Sequence, residues 1–267
     1  MQFQFKKAHG AGNDFILLTD PDRHEGIDWA LMARKLCDRR MGIGADGLVI
    51  SIPIGDGRLR VTCYNADGSE ASMCGNALRC AAADAAETFG VKEMALEMAG
   101  VEHEAVVTDN NVRVTAEVGP VQMRVLQAGW DGRVIWFDSA HTGTEHVVGF
   151  VPEVDSIEAE EFGRSVCHHE KLAPIGTNVN FVQALGNQVL RLRTYERGVE
   201  AETLSCGSGA VAAAVIAVER GLVSGSKPIT VQNRAGTPLV VSPHSGRPGK
   251  SFWVSGPVAK VYEGVLA

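Results

Sequence analysis

Alternating and helical patterns of apolar residues recur at matching places in the two halves of the chain. Apolar and polar residues alternate over 57–65 and over 188–196, which predicts two strands. Each strand is followed by a Cys-Gly-polar triplet and an alanine-rich run that ends near Gly90 in one half and at Gly221 in the other. Small residues at the front and glycine after the run are typical of a helix, so we predict a helix beginning at each cysteine.

The remaining segments also mix helical and extended patterns. The segment 28–40 predicts an amphipathic helix, and 160–169 is a weaker helix candidate at the corresponding place. A strand over 111–120 closes the first half, with Pro120 as the predicted border between two domains. Short strands separated by glycine and proline turns follow the second alanine-rich run. The pattern therefore predicts a mixed α/β fold in each half.

The two cysteines mark an internal duplication. Cys74 and Cys206 lie 132 positions apart in a chain of 267 residues. At the same offset, seven identities fall in the window 70–87, where chance would give about one. Matches outside that window are Ala8-His9 with Ala140-His141, Ile43-Gly44 with Ile175-Gly176, and Thr62 with Thr194. Two helices of similar composition would not align these other pairs, so we infer a duplicated fold.

A dinucleotide site is excluded by the order of elements. Residues 42–47 fit the pattern G-x-G-x-x-G. That fingerprint requires a strand before it and a helix after it. Here a predicted helix precedes the glycines and a strand-like run follows them, so the motif predicts a turn.

Composition and charge narrow the function classes. A net charge of −7 argues against nucleic-acid binding. The longest apolar run, 209–218, is too short to span a bilayer, and the first ten residues lack the apolar stretch of a secretory signal, so no membrane association is expected. Six cysteines at this low density favour thiols in a reducing cytoplasm over disulfides. Cys167, His168, His169 and Glu170 offer ligand-type side chains, but neighbouring side chains on a helix diverge, so no metal is expected. No lysine stands out for pyridoxal phosphate, so no other cofactor is expected either.

A thiol at a helix N-terminus has specific chemistry. The positive end of the helix dipole favours the thiolate, and the exposed amides bind carboxylates. Two halves related by pseudo-symmetry are therefore expected to direct Cys74 and Cys206 at one anionic substrate from opposite sides of a cleft.

With these motifs assembled, the sequence resembles the diaminopimelate epimerase family over nearly its whole length. The motifs, in order, are GAGNDF (10–15), GIGADGL (42–48), NADGSEASMCGNALRC (65–80), GTNVNF (176–181) and TYERGVEAETLSCGSGA (194–210). The resemblance implies cofactor-independent epimerisation of LL-2,6-diaminopimelate to the meso form, by two cysteines acting as acid and base. It also implies two pseudo-symmetric α/β domains of the α+β type, each a strand-rich roll around a central helix. The implied limits are 1–120, joined by a C-terminal strand over 257–267, and 121–256, with a homodimer as the assembly.

The resemblance also assigns roles to individual residues. Cys74 and Cys206 are the two acid/base residues, and His146 and Glu196 influence proton transfer beside them. The residues expected to hold the substrate are Asn13, Asn65, Gly75, Asn76, Asn178, Glu196, Arg197, Gly207 and Ser208. The other four cysteines, Cys37, Cys63, Cys80 and Cys167, are expected to be buried and structural.

Two departures from the family pattern leave the substrate open. The family commonly has Asn-Pro where this chain has Thr144-Glu145, and the segment between Arg197 and Cys206 is one residue longer than usual. A racemase or epimerase with the same mechanism on another amino acid, as in proline or histidine racemases, is therefore the main alternative. A non-catalytic amino-acid-binding protein and a thiol redox protein are the others.

Overall fold

The computed structural model describes residues 3–18, 26–109, 111–246 and 251–266 and divides into two compact units. One unit comprises Met1–Val114 with Gly256–Ala267, and the other comprises Thr115–Ser255. Within the described residues, no helix combines the length and apolar character that crossing a membrane requires.

The first unit is built from strands that surround one long helix. Its elements are β1 (Phe3–Gly10), β2 (Asn13–Leu18), α1 (Trp29–Leu36), β3 (Gly47–Gly55), β4 (Arg58–Asn65), α2 (Gly75–Phe89), β5 (Glu93–Met98), β6 (Val101–Thr108) and β7 (Asn111–Glu117). Strand β1 pairs antiparallel with β2, β2 parallel with β3, β3 antiparallel with β4 and β4 parallel with β5. Strands β5, β6 and β7 then pair antiparallel in sequence.

The second unit has its own set of strands and helices. Its elements are β8 (Val121–Trp130), β9 (Arg133–His141), β10 (Glu145–Phe150), α3 (Ala159–Cys167), β11 (Asn178–Gly186), β12 (Val189–Glu196), β13 (Ala201–Thr203), α4 (Gly207–Glu219), β14 (Ile229–Gln232), β15 (Leu239–Pro243) and β16 (Ser251–Gly256). Two short 3₁₀ turns lie at Val154–Ser156 and Glu170–Leu172. The last strand of the chain, β17 (Val258–Leu266), pairs antiparallel with β1 in the first unit.

The strand orders of the two units confirm the duplication. The first unit runs β17-β1-β2-β3-β4-β5-β6-β7, and the second runs β8-β9-β10-β11-β12-β14-β15-β16. Parallel pairs occupy matching places, because β2 with β3 corresponds to β10 with β11, and β4 with β5 corresponds to β12 with β14. Strand β2 and strand β10 even share bounds at the offset of 132 residues.

Each unit has its alanine-rich helix at the centre. Helix α2 contacts strands β1 to β6, and α4 contacts β9 to β12 with β14 and β15. Ten residues of the 13-residue α4 are buried, because its sequence is apolar on every face. Small alanine side chains let the surrounding strands approach closely, and the first unit buries Leu78, Val61 and Leu96 in this core. The predicted α/β fold, with a roll around a central helix, is confirmed.

The outer helices differ more from the sequence-based prediction. The helix predicted over 28–40 ends at Leu36, because the backbone N–H groups of Ile43 and Gly44 fold back onto the Leu36 carbonyl. Gly44 adopts φ +81°, which suits a residue without a side chain in this return. The weaker candidate is a full helix, α3, that buries Phe162 against Phe181 with ring centroids 5.3 Å apart.

Candidate active site

The two cysteines cap the two central helices. Cys74 is the N-cap of α2 and Cys206 is the N-cap of α4, both with extended backbone angles. The Ala77 N–H donates to Cys74 Sγ at 3.5 Å, and the Gly209 N–H donates to Cys206 Sγ at 3.4 Å. Cysteine is an unusual N-cap residue, since oxygen side chains are the common choice. Each sulfur therefore takes the position in which a helix N-terminus favours a thiolate.

In the first unit, Asn13 and Asn76 lie together at the start of α2. Asn76 Nδ2 donates to Asn13 Oδ1 at 3.0 Å, and Asn13 Nδ2 donates to Asp46 Oδ2 at 2.7 Å. Gly75 and Asn76 form the first turn of the helix and are buried. The chain of contacts fixes the orientation of both amides.

Behind these amides lies a charged cluster that the sequence analysis did not identify. Asp14 pairs with Lys7 Nζ at 2.6 Å and with two nitrogens of Arg39, which also contacts Asp46 at 2.8 Å. Lys7 Nζ also donates to the Gly44 carbonyl. Burial alone would raise the pKa of Asp14, but the hydrogen bonds and charges of Arg39 and Lys7 lower it to about 2. Asp14 and Asp46 belong to the motifs GAGNDF and GIGADGL, so the sequence did carry a signal for them.

Asn65 is engaged in its own turn. It lies at the end of β4, where its Nδ2 donates to Ser69 Oγ at 2.9 Å and its backbone N–H donates to the Ser69 carbonyl. Asp67 accepts from the Ser69 hydroxyl at 2.6 Å, which completes the turn. The structure therefore assigns Asn65 a local contact within the loop that leads to Cys74.

In the second unit, His146 is buried and neutral. Its exposed fraction is 0 %, and burial, followed by the charges of His141 and Arg197, lowers its pKa to about 3. Asn180 Nδ2 lies 3.0 Å from His146 Nδ1, and an amide nitrogen can only donate. His146 Nδ1 must therefore accept, which assigns the proton of the neutral ring to Nε2.

That proton connects His146 to the second thiol. His146 Nε2 lies 3.0 Å from Ser208 Oγ and 3.0 Å from Thr144 Oγ1. When Ser208 Oγ accepts from Nε2, its own hydroxyl proton can point to Cys206 Sγ at 3.5 Å. Thr142 Oγ1 anchors the same turn by donating to the Ser208 carbonyl at 3.0 Å. His146 is thus connected to the Cys206 sulfur through the Ser208 hydroxyl.

Asn178 links the other predicted residues of this unit. Its Nδ2 donates to Thr144 Oγ1 at 3.2 Å and to the Glu145 carbonyl at 3.1 Å, while its Oδ1 accepts from the Arg197 backbone N–H at 3.0 Å. The Arg197 guanidinium donates to the Gly176 carbonyl at 3.2 Å. The family pattern does not include a threonine at position 144, yet the Thr144 hydroxyl joins Asn178 to the His146 ring.

Glu196 is the last residue of β12, and the longer loop follows it. Glu196 Oε1 accepts from Thr203 Oγ1 at 2.6 Å. The neighbouring Glu202 pairs with Arg193 at 2.7 Å. The loop turns through Gly198 at φ +86° and Glu200 at φ +58°, and the chain re-enters pairing at β13 before Cys206.

The other four cysteines are buried thiols. Burial raises the pKa of Cys37 to about 11 and that of Cys80 to about 12. The pKa of Cys63 lies well above its ordinary value, first because its thiol hydrogen-bonds Cys74 and then because it is buried. Burial also raises the pKa of Cys167. The prediction that these four are buried is confirmed.

One group in the described part of the chain has metal-ligand geometry. The ligand atoms of Cys167, His168 and Glu200 lie within 4.8 Å of one another. Glu200 comes from a different segment, which is why the sequence analysis found no partner for the adjacent cysteine and histidine. Its carboxylate already accepts from Tyr195 Oη at 2.9 Å and from the Gly198 N–H at 2.9 Å.

Comparisons of the whole sequence agree with these motifs. The sequence model of the family described as diaminopimelate epimerase matches residues 5–124 and 139–252. The protein named diaminopimelate epimerase from Aquifex aeolicus is 36% identical over 280 aligned positions, which cover 99% of this chain and 98% of the relative. The protein of the same name from Methanothrix thermoacetophila is 37% identical, with 100% and 96% covered.

Solved structures share the fold at low sequence identity. A phenazine biosynthesis protein of the PhzF family from Bacillus anthracis superposes with a TM-score of 0.76 at 11% identity, covering 100% of this chain and 99% of that one. A hydroxyproline epimerase from Agrobacterium vitis gives a TM-score of 0.70 at 16% identity, with 100% and 92% covered. Likeness at this level of identity establishes the architecture alone.

Proposed function

Because the chain belongs to the diaminopimelate epimerase family, we propose that it converts LL-2,6-diaminopimelate to the meso form without a cofactor, in lysine and peptidoglycan-precursor biosynthesis. The observation that carries the proposal is the pair of thiols at the starts of two equivalent helices, in a chain that matches the family over nearly its full length. The activity is that of an isomerase.

The proposed reaction needs two groups of opposite protonation state. One cysteine thiolate takes the α-proton, which leaves the electron pair on the α-carbon, conjugated with the substrate carboxylate. The other cysteine thiol gives its proton to the opposite face, which restores the C–H bond with inverted configuration. A single base would have to change faces, and two thiols remove that need. The reaction therefore leaves the two thiols in exchanged protonation states.

The starts of α2 and α4 supply the electrostatic support. Charge develops on the substrate carboxylate when the α-proton leaves, and backbone N–H groups at helix N-termini stabilise such an anion. We assign this role to Gly75 with Asn76 and to Gly207 with Ser208, the first two residues of each helix. The bound carboxylate would be stabilised most when the carbanion forms, which lowers the barrier rather than only the substrate's binding free energy.

The remaining predicted residues are proposed to hold the rest of the substrate. Asn13, Asn65, Asn178 and Glu196 offer hydrogen bonds to amino and carboxylate groups, and the Arg197 guanidinium suits bidentate pairing with a distal carboxylate. Since His146 acts on Cys206 through Ser208, its proposed role is to position that thiol. The domain limits 1–120 with 257–267 and 121–256, a cytoplasmic location and a homodimer belong to the same proposal.

Incubation of the pure protein with LL-diaminopimelate in D2O tests the reaction. We expect loss of the α-proton signal by NMR and appearance of the meso isomer by chiral chromatography. Epimerisation should be abolished in Cys74→Ala and in Cys206→Ala. Cys37→Ala, which removes a buried thiol from the end of α1, is the matched control and should retain activity.

Two outcomes would redirect the proposal. Epimerisation that survives either Cys→Ala substitution would contradict the two-thiol mechanism. No exchange with this substrate, but exchange with another free amino acid, would favour the alternative epimerase. The observation that favours this second candidate is Thr144, which departs from the family pattern. Its hydroxyl contacts both His146 and Asn178.

A further inference from the structure

The first unit buries a cation beside its catalytic helix start. Arg79 lies in α2, five residues after Cys74, and its exposed fraction is 0 %. Its Nη2 donates to Asn76 Oδ1 at 2.7 Å, whereas its Nε and Nη1 have no hydrogen-bond partner within the described residues. A buried guanidinium is costly unless an anion compensates its charge. A nearby group is therefore expected to supply a negative charge that compensates Arg79.

Two cysteines of the same helix region act electrostatically on Arg79. Burial lowers the pKa of Arg79, and the charges that oppose this effect are those of Cys80 and Cys74 in their thiolate forms. Burial raises the pKa of Cys80 to about 12, so Cys80 is a neutral thiol at neutral pH. Cys74 is only partly buried and caps the helix N-terminus. Of the two, Cys74 is the group that can carry the compensating charge.

A second contact favours a thiolate at the same position. The Cys63 side chain of β4 hydrogen-bonds Cys74, and this bond is the largest cause of the raised pKa of Cys63. Because Cys63 is 1% exposed and burial disfavours a thiolate, Cys63 keeps its proton and donates it, while Cys74 accepts. Together with the Ala77 N–H, this gives Cys74 two donors and one buried cation.

The equivalent positions of the second unit lack these features. At the offset of 132 residues, Val211 stands in place of Arg79 and Tyr195 in place of Cys63. Two contacts of Cys206 are with neutral groups, the Gly209 N–H and the Ser208 hydroxyl. Behind Ser208 lies His146, which is neutral because burial lowers its pKa to about 3. Both units have therefore kept the thiol, but the buried cation of position 79 has no counterpart at the equivalent position 211.

We infer that Arg79 is a positioning residue that makes Cys74 the resting thiolate and leaves Cys206 as the resting thiol. The assignment rests on the proposed function only in naming these two thiols as the acid and base. In the unliganded enzyme, the Cys74 thiolate is then poised to remove a proton from the substrate, and the Cys206 thiol is poised to give one.

The pH dependence of alkylation tests the assignment without any substrate. Thiolates react with iodoacetamide and thiols do not, so the rate at each cysteine rises with pH through its own pKa. Peptide mass spectrometry quantifies Cys74 and Cys206 separately in wild-type protein. We expect the midpoint for Cys74 to lie below that for Cys206 by about one pH unit or more. Equal midpoints, or a lower midpoint for Cys206, would overturn the proposal whether or not the protein is an active epimerase.

Variants of Arg79 test the cause. Arg79→Met should raise the Cys74 midpoint by about one pH unit and leave that of Cys206 unchanged, whereas Arg79→Lys should restore most of the shift. Arg58→Met, which removes an exposed cation from β4, is the matched control and should change neither midpoint. A Cys74 midpoint that stays unchanged in a folded Arg79→Met protein contradicts the assignment. If that variant does not fold, the wild-type comparison decides.

Discussion

The two halves of the molecule support their thiols with different chemistry at equivalent positions. Asp14 and Asp46 of the first half correspond, at the offset of 132 residues, to His146 and Asn178 of the second. The first pair works through ion pairs with Lys7 and Arg39. The second pair works through neutral hydrogen bonds. Duplication kept the backbone scaffold but not its electrostatics, so the two thiols are not interchangeable.

The largest expected effect is an acid sensitivity that belongs to the second half. His146 has a folded pKa of about 3 against an ordinary value of 6.5, so the unfolded chain binds the proton more readily. Its contribution to stability is complete above pH 6.5 and is lost as pH falls toward 3. Between pH 7 and pH 4 the free energy of unfolding should fall by roughly 3 kcal/mol. Urea unfolding at several pH values measures this slope.

His146→Gln keeps a polar side chain that cannot titrate and should flatten that slope. His168→Gln, which removes a largely exposed histidine on the same unit, is the control and should leave most of it in place. A slope that persists in His146→Gln would show that the acid sensitivity arises elsewhere.

The second effect concerns the charged cluster of the first half and has a different pH window. The folded pKa of Asp14 is depressed to about 2, so its stabilisation is present above about pH 4 and is lost as pH falls through 2. Asp14→Asn should therefore lower the free energy of unfolding by about 2.5 kcal/mol at pH 7. Since the loss comes from removed charge, the difference between the variant and the wild type should shrink below pH 4.

Urea unfolding at pH 7 and at pH 3 measures that difference. Asp56→Asn, in an exposed turn between β3 and β4, is a matched substitution that should have little effect. A destabilisation by Asp14→Asn that is the same at both pH values would indicate lost packing rather than lost ion pairing.

A feature of this arrangement could be predicted from the sequence when its residues lie close together along the chain, and not when they come from distant segments. The capped helices were predictable because cysteine, glycine and alanine follow one another within one turn. Asn178 and Arg197 were predictable only through their motifs. The ion pairs of Asp14 with Lys7 and Arg39 were not predictable, because they join strands β1 and β2 to a residue in the distant loop after α1. Arg79 was not, because nothing in a helical pattern reveals that a single cation is fully buried.

A third effect separates the two helix starts by one methyl group. Gly209 of α4 corresponds to Ala77 of α2, and a Cβ added at Gly209 would lie 2.5 Å from Asn180 Oδ1. Asn180 is fully buried and holds His146 Nδ1 at 3.0 Å, so it has little room to move away. Gly209→Ala should therefore lower the free energy of unfolding by about 2 kcal/mol. It should also reduce the rate of epimerisation by roughly tenfold or more.

Thermal unfolding measures the loss of stability in Gly209→Ala, and the rate of meso-isomer formation measures its loss of activity. Gly221→Ala, which has no atom within 4 Å of the added Cβ but requires φ +69°, shows what backbone strain alone costs. If Gly209→Ala were as active as wild type, the contact with Asn180 would not be needed to hold His146.

The smallest effect is the reverse exchange in the first half. Ala77→Gly removes a buried methyl group from α2 and adds conformational freedom to the unfolded chain, which should cost about 1 kcal/mol. The Ala77 N–H that donates to Cys74 remains, and the cluster around Asp14 does not depend on that methyl group. Epimerisation should therefore stay within about twofold of wild type at saturating substrate, well below the loss expected for Gly209→Ala. A matched loss of activity in both variants would mean that the two helix starts respond to packing alike, and that the difference between the charged and neutral networks has no effect on catalysis.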